Sequence, residues 1–170
     1  IGGTALADYA VDYEGGVCTL TFTRPEKANA FHPRIIPDLT KLFVSLNHRP
    51  DIRVLLIKGE GKHFMAGGDL ELIVDLDKAD DAERTLFGEG PIQQYNIMAR
   101  ALNRLDKPVI ASVQSGVAGA AVGLLGACDL VICADTAFFW AAHILHGGSN
   151  DGLLSYFLPR PIGLRKALAR

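Results

Sequence analysis

Two segments rich in glycine and alanine are the places where backbone N–H groups of this chain could do chemistry. They are residues 64–70 (FMAGGDL) and residues 116–123 (GVAGAAVG). Each is predicted to join a loop to a helix, where the first N–H groups lack intrahelical partners and carry the positive end of the helix dipole. Two such junctions could share one oxygen and stabilise a developing oxyanion. Tight turns and close helix packing are the alternative use of the same glycines.

Dinucleotide binding is another functional interpretation of the second segment. A predicted strand at residues 109–113 precedes it, and Asp135 follows about twenty residues later, as in dinucleotide-binding folds. However, Gly116, Gly119 and Gly123 have the spacing GxxGxxxG and not GxGxxG. The tight turn and the close approach to a pyrophosphate would then fall at the wrong positions, so the spacing argues against a dinucleotide site.

The elements that must position these segments can be predicted from hydrophobic patterns. Residues 9–23 contain two strand-like runs around Glu14-Gly15-Gly16, which predicts a hairpin. Residues 33–47 carry apolar side chains at three- and four-residue spacing, which predicts an amphipathic helix. The unbroken apolar run at 54–57 is typical of a strand covered on both faces in a parallel sheet.

The second half of the chain continues this alternation of strands and helices. A long helix is predicted over residues 90–105, and Lys107-Pro108 ends it. Short strands and one Gly/Ala-rich helix are then predicted at residues 109–113, 119–128, 130–133 and 138–140. Such alternation predicts βαβ connections and an α/β layer architecture.

Composition excludes several classes of function. The 170 residues are 49% hydrophobic and 21% charged, with a formal net charge of −2 and a pI near 6.2. This predicts one globular domain without the basic surface that nucleic acid or anionic lipid requires. Three cysteines without metal-ligand or disulfide spacing are expected to be reduced core residues of an intracellular protein: Cys18, Cys128 and Cys133.

One uncharged stretch, residues 108–128, is long enough to be a transmembrane helix. Its centre carries Gln114 and Ser115, its second half is dominated by glycine and alanine, and its start is β-branched. These features favour a strand, a turn and a buried helix over a lipid-facing span.

Four further patterns occur in succession along the chain. They are TRPEKANA at 23–30, HFMAGGDL at 63–70, KPVIA at 107–111 followed by Gly119 and CDL at 128–130, and LPRPIG at 158–163. In this order they resemble landmarks of the enoyl-CoA hydratase/isomerase (crotonase) superfamily. The resemblance covers nearly the whole chain and implies an α/β fold built as a spiral of ββα units. It leads us to expect that residues 1–170 are a core domain without the family's C-terminal helical region.

The same resemblance implies the components of an acyl-CoA site. The N–H groups of Ala66 and Ala120 would form an oxyanion hole for the thioester carbonyl. Residues expected to line the CoA site are Lys27, Ala28, Ala30, Ala66, Gly67, Gly68, Asp69, Leu70 and Ala120. Arg24 and Lys27 could contact CoA phosphates or be solvated cations at a strand end. No metal and no separate cofactor is expected, because coenzyme A is part of the substrate.

The acid–base groups differ from those of the hydratases in the family. Gly123 and His143 occupy the places of the two hydratase glutamates, whereas Asp151 falls where several isomerases and a hydrolytic dehalogenase carry a catalytic aspartate. An N-cap of a helix beginning near Gly152 is the structural alternative for Asp151. His143 could shuttle a proton near pH 7 or be a packed, hydrogen-bonded histidine, and His146 lies three residues on.

From these groups we expect an enoyl-CoA isomerase that uses Asp151, with help from His143. A hydratase with rearranged acid–base groups and a non-catalytic acyl-CoA-binding protein are the alternatives. Asn96 stands where dehalogenase-like members carry a histidine, which argues against that chemistry. The resemblance further implies a homotrimer or a dimer of trimers in the cytoplasm, and a mitochondrial location stays open because the chain starts at Ile1.

Overall fold

Strands and helices alternate in a mixed α/β fold, as the sequence predicts. The structure is a computed structural model that describes residues 8–69, 71, 82, 90–146 and 148–168, with no side-chain description for Ile144 and His146. The strands are β1 (Tyr9–Glu14), β2 (Val17–Phe22), β3 (Val54–Gly59), β4 (Val109–Val113), β5 (Gly116–Ala118), β6 (Leu130–Cys133) and β7 (Phe138–Trp140). The α-helices are α1 (Ile36–Leu46), α2 (Gly90–Asn103), α3 (Ala120–Gly126), α4 (Leu154–Phe157), α5 (Pro159–Ile162) and α6 (Leu164–Leu168). Short 3₁₀ helices cover Pro25–Lys27, Pro33–Ile35 and Ala142–His146.

The main sheet has the strand order β1-β2-β3-β4-β6. β1 and β2 form the predicted antiparallel hairpin, and the remaining neighbours are parallel. Gly15 and Gly16 connect the hairpin with φ angles of 57° and 85°, values that suit a tight two-residue turn. β3 lies inside the parallel part of the sheet, with Leu55 and Ile57 buried and Val54 and Leu56 half-buried, so the second face of its apolar run is only partly covered.

A second sheet consists of β5 and β7 in parallel. β5 is not predictable from the sequence, because its three residues of Gly, Val and Ala carry too little pattern. Two isolated parallel bridges extend this region, one between Met65 and Val117 and one between Phe31 and Gly68. The bridges bring the loop at residues 64–69 against the strand that leads into α3.

Helices α1 and α2 pack against each other and supply much of the core. Leu39 and Phe43 of α1 are buried together with Met98 and Leu102 of α2. Burying a side chain of this size contributes roughly 1.5–3 kcal/mol. This layer therefore gives the loops at the carboxyl ends of the strands a rigid support.

The uncharged stretch of residues 108–128 forms β4, β5 and α3, as the sequence analysis favours. Within the part of the chain that the structure describes, no helix has the length and apolar character needed to cross a membrane. Cys18 is buried as expected, whereas the expectation of a core position is wrong for Cys133, which is exposed at the end of the β6 edge strand. Leu70, and the short helix predicted to follow it, lie outside the described residues.

Candidate active site

The first glycine-rich junction is held in place by Phe31. The Phe31 N–H donates to the Gly67 carbonyl at 2.6 Å, and the Phe31 carbonyl accepts from the Asp69 N–H at 3.2 Å. These two bonds bracket Gly68 and leave its own N–H directed away from Phe31. Among the described residues, the Gly68 N–H has no acceptor.

The second junction is the start of α3. Gly119, with φ at 54°, donates its N–H to the Trp140 carbonyl at 2.9 Å, and Ala118 donates to the Met65 carbonyl at 3.0 Å. Ala120 is the first residue of α3 and is buried. In the described ranges its N–H finds no hydrogen-bond acceptor, as is usual for the first turn of a helix.

The two junctions contact each other through Gly67 and Gly119. A Cβ on Gly67 would lie 2.7 Å from the Ala118 carbonyl oxygen and 3.3 Å from the Gly119 Cα, and Gly67 also has φ at 90°. Only glycine satisfies both conditions. The unpaired N–H groups of Gly68 and Ala120 each follow one of these contacting glycines directly. The two small-residue junctions therefore lie against each other, whereas their sharing of one ligand oxygen stays a prediction.

The structure corrects the expected role of Ala66. Its N–H donates to the Ala28 carbonyl at 2.9 Å, so it is already committed to a bond within the protein. A donor in that state cannot serve a ligand without breaking this bond, which costs free energy. Within the same junction, the N–H groups of Gly67 and Gly68 have no acceptor among the described residues. The two bonds of Phe31 turn that of Gly68 away from Phe31, which makes it the candidate donor.

The carboxylate of Asp69 faces the protein. Its Oδ2 accepts from the Arg24 Nη2 at 3.1 Å, and its side chain is buried. Arg24 additionally donates to the Ala30 carbonyl at 3.2 Å. This ion pair ties the first glycine-rich junction to the loop at residues 24–30. Arg24 is thus neither a solvated cation nor available to a phosphate in this arrangement.

Asn29 is a structural residue that the sequence analysis missed. Its Nδ2 donates to the carbonyls of Glu60, His63 and Phe64, and its Oδ1 accepts from the Arg24 N–H at 2.9 Å. Its φ angle is 55°, a conformation that asparagine tolerates better than most residues. An asparagine in a turn next to the Arg-Pro pair was the signal in the sequence.

The loop residues expected to line the CoA site lie beside this framework. Lys27 is exposed and pairs with Glu71, and this hydrogen bond raises the pKa of the lysine ammonium. Ala28 takes a left-handed conformation with φ at 48° and accepts the Ala66 N–H bond. The predicted CoA contacts in the described residues stay predictions, namely those of Lys27, Ala28, Ala30, Ala66, Gly67, Gly68, Asp69 and Ala120.

Asp151 and His143 form a hydrogen-bonded pair. His143 Nε2 lies 2.7 Å from Asp151 Oδ1, with the His143 side chain 11% exposed and that of Asp151 25% exposed. The alternative role of Asp151 as a helix N-cap is not observed: α4 begins at Leu154, Leu153 stands at the cap position, and no side chain caps it. A carboxylate bonded to an imidazole can accept and return a proton.

The neighbourhood of Gly123 explains why no glutamate can occupy that position here. A Cβ on Gly123 would lie 2.5 Å from the Gly152 carbonyl oxygen. The backbone beside Asp151 thus fills the space that a side chain on α3 would need. Among the described residues, two buried side-chain atoms have no hydrogen-bond partner: Asn96 Oδ1 and His143 Nδ1.

Known proteins share this arrangement of sequence and fold. The enoyl-CoA hydratase/isomerase family profile matches residues 12–169. Trans-2-decenoyl-(acyl-carrier-protein) isomerase from Streptococcus mutans is 35% identical over 94% of this chain and 59% of its own length. 4-Chlorobenzoyl coenzyme A dehalogenase-2 from Arthrobacter sp. is 31% identical over 94% of this chain and 56% of its own length.

The fold comparison agrees with the sequence comparison. The crystal structure of an enoyl-CoA hydratase from Mycobacterium avium subsp. paratuberculosis superposes with a TM-score of 0.82 at 26% identity, covering 97% of this chain and 62% of that chain. The chain therefore spans somewhat more than half the length of the relatives it matches. With the profile match extending over nearly all residues and the fold shared with a crystallised hydratase, this chain belongs to the enoyl-CoA hydratase/isomerase family and has the crotonase fold.

Proposed function

We propose that this chain binds an acyl thioester, holds its carbonyl oxygen between the N–H groups of Gly68 and Ala120, and shifts a double bond by moving one proton with Asp151. The observation that carries the proposal is the hydrogen-bonded pair of Asp151 and His143 beside a side-chain-free Gly123. It supplies one acid–base unit where a hydratase of this family has two glutamates.

The two N–H groups supply the electrostatic part of the reaction. Removing a proton from the carbon next to a thioester places negative charge on the carbonyl oxygen. Fixed donors about 2.7–3.1 Å from that oxygen stabilise the charge without reorganising, and loss of one such donor typically costs about 3–4 kcal/mol of barrier. Gly68 and Ala120 qualify because both N–H groups lack acceptors among the described residues.

Asp151 performs the proton transfer in this scheme. The carboxylate takes a proton from one carbon of the acyl chain, the electron pair of that C–H bond moves into the enolate, and the proton returns to a carbon two bonds further along. The double bond shifts and no atom is gained or lost. His143 donates to Asp151 through Nε2 and so orients the carboxylate.

Hydrolytic dehalogenation is a second candidate for the same aspartate. Two 4-chlorobenzoyl coenzyme A dehalogenases from Arthrobacter sp. are each 31% identical to this chain over 94% of it. In that reaction Asp151 would attack carbon as a nucleophile and halide would leave. Asn96 replaces the histidine that the dehalogenase pattern carries, so the isomerase is the preferred proposal.

Product analysis in isotopically labelled water separates the possibilities. With an enoyl-CoA series in heavy water that also contains ¹⁸O, the isomerase should shift the double bond and form no ¹⁸O-labelled product. Deuterium should enter carbon in those turnovers in which the proton on Asp151 exchanges with solvent before it returns. Formation of a labelled 3-hydroxyacyl-CoA faster than the double-bond shift would establish a hydratase. Chloride release from 4-chlorobenzoyl-CoA would establish a dehalogenase. Binding of every ester with neither a shift of the double bond nor any label incorporated would identify a non-catalytic acyl-CoA-binding protein.

A further inference from the structure

Tyr95 of α2 contacts three separate segments of the proposed site. Its side chain is buried, 4% exposed, and its hydroxyl donates to the Ala120 carbonyl at 2.8 Å. Ala120 carries one of the two N–H groups assigned to the proposed oxyanion hole. The hydroxyl therefore fixes the peptide that directly follows this donor, at the first turn of α3.

The second contact is with the loop that carries Asp151. A Cβ on Gly152 would lie 2.5 Å from the Tyr95 Cε1 and 3.3 Å from the Ala120 carbonyl oxygen. Gly152 also has φ at 59°, so glycine is required twice over at this position. The backbone next to Asp151 thus lies directly on the edge of the tyrosine ring. Burial, and then the charge of Asp151, raise the pKa of the Tyr95 hydroxyl, which keeps it a neutral donor.

The third contact is with Phe31. The two rings meet edge to face, with centroids 5.0 Å apart and an interplanar angle of 86°. This is the preferred geometry for an aromatic pair. The backbone of Phe31 brackets Gly68 through its bonds to Gly67 and Asp69. The ring of Tyr95 therefore packs on the residue that sets the position of the Gly68 N–H.

We propose that Tyr95 is a positioning residue that fixes both backbone donors and the Asp151 carboxylate relative to one another. The inference rests on the proposed function, since it assigns Tyr95 to the same oxyanion hole and the same base. The three segments that Tyr95 contacts are far apart in the sequence, at Phe31, Ala120 and Gly152. In the described structure, Tyr95 on α2 links them through one ring and one hydroxyl.

The hydroxyl is the part of Tyr95 that can be tested cleanly, because Tyr95→Phe keeps the ring and its packing. Loss of the bond to the Ala120 carbonyl frees the first turn of α3 and leaves a buried carbonyl with one hydrogen bond fewer. We expect kcat for the double-bond shift to fall about tenfold, while KM changes less than about twofold. Loss of ground-state binding alone would instead raise KM.

A spectroscopic readout separates positioning from a general loss of stability. The carbonyl band of a ¹³C-labelled acyl-CoA thioester should shift to lower frequency on binding to the intact protein, because two N–H donors polarise it. Tyr95→Phe should reduce that shift. Tyr9→Phe is the matched control: Tyr9 is also 4% exposed but belongs to β1, and its variant should retain the full band shift and kcat.

The outcomes distinguish failure of this inference from failure of the proposed function. Tyr95→Phe protein with the normal band shift and normal kcat overturns the role of Tyr95. A normal protein that polarises the carbonyl but moves no proton overturns the isomerase proposal, while the band of Tyr95→Phe still decides the positioning of the donors. A normal protein that binds the ester without any band shift overturns both the oxyanion hole and the role of Tyr95.

Discussion

A backbone N–H is available to a ligand when no acceptor within the protein takes it. Phe31 uses the carbonyl of Gly67 and the N–H of Asp69, and Gly68 between them points the other way. Ala120 is free for a different reason, since the first N–H groups of a helix have no intrahelical acceptor. A loop residue in an isolated β-bridge and a helix start therefore contribute one donor each to the proposed site.

Replacing single peptide bonds by esters tests these donors, because an ester lacks the N–H but keeps the side chain. An ester at the Gly68 nitrogen should lower kcat by about 10²–10³, since one oxyanion donor is removed. An ester at the Ala66 nitrogen is the matched control. It removes only the bond to Ala28, so it should lower the free energy of unfolding by about 1 kcal/mol and leave kcat nearly unchanged.

Steady-state kinetics and urea unfolding of the two ester proteins decide this point. A large loss of kcat for the Ala66 ester together with a normal rate for the Gly68 ester would contradict the assignment of Gly68 and restore the role first expected for Ala66.

At the scale of single residues, the sequence predicted chemical types better than hydrogen-bond directions. Asp151 and His143 were identified as partners in proton transfer, and the structure places them 2.7 Å apart. The choice between Ala66 and Gly68 depends on which way each peptide unit faces. That direction follows from pairing with Ala28 and Phe31, which are more than thirty residues away in the sequence.

At the scale of elements, α3 and the loop before α4 are packed backbone to backbone. Gly123 of α3 faces the Gly152 carbonyl so closely that no side chain fits between them. Since Asp151 adjoins this contact, the same close approach that excludes a carboxylate from α3 brings one in from the loop. The contact thus excludes a side chain at 123 and holds the backbone next to Asp151 in place.

Gly123→Ala should therefore disturb both stability and catalysis. Its Cβ would lie 2.5 Å from a backbone oxygen, so the loop must move, at a cost of about 1–3 kcal/mol in the free energy of unfolding. Displacement of Asp151 should lower kcat as well. Gly90→Ala is the control, because a Cβ there meets nothing within 4 Å and should change stability by less than about 0.5 kcal/mol.

Urea unfolding of both variants measures these differences. Equal stability of Gly123→Ala and the unmodified protein, with normal kcat, would show that the contact between α3 and the loop is not tight in solution.

Hydrophobic periodicity predicted most elements, because their buried side chains recur at the period of a helix or a strand. The hairpin, α1, β3, α2 and β4 all occur close to their predicted ranges. The short strand β5 and the left-handed residue Leu153 before α4 were not predicted. Both depend on tertiary partners, which in the case of β5 are β7 and Met65, and not on a local pattern.

At the scale of the whole molecule, an ionic cluster joins the start of the chain's first strand to the site. Asp8 is buried and accepts from Arg34 Nε at 2.7 Å and Nη2 at 2.6 Å. It also lies 3.5 Å from Arg24, which binds Asp69. The hydrogen bonds from Arg34 hold the pKa of Asp8 below its ordinary value of 3.8, although burial opposes them.

This lowered pKa predicts the direction of acid destabilisation. A carboxylate whose folded pKa is depressed stabilises the fold above its unfolded pKa and loses that contribution as pH falls through the folded value. The stability difference between the unmodified protein and Asp8→Asn should thus be constant from about pH 7 to pH 5 and shrink below pH 3.8. Urea unfolding across this range measures it, and a difference that is independent of pH would argue against the pairing.

Large apolar side chains are exposed on two of the short strands, β6 and β7. The side chains of Phe138, Phe139 and Trp140 in β7 are between 41% and 53% exposed, and Leu130 and Ile132 of β6 are similarly exposed. Exposed apolar side chains grouped on strands in this way are typical of interaction surfaces. A homotrimer or dimer of trimers, as the family resemblance implies, stays a prediction that this surface supports.

The most direct test of the account is solvent deuterium uptake into a bound acyl-CoA thioester by the unmodified protein and by Asp151→Asn. Asparagine keeps the size of the side chain but cannot act as the base. We expect the unmodified protein to exchange the proton beside the thioester carbonyl, and Asp151→Asn to exchange it about 10²–10⁴ times more slowly with nearly unchanged ester affinity. Exchange at an undiminished rate in Asp151→Asn would show that Asp151 is not the group that moves the proton.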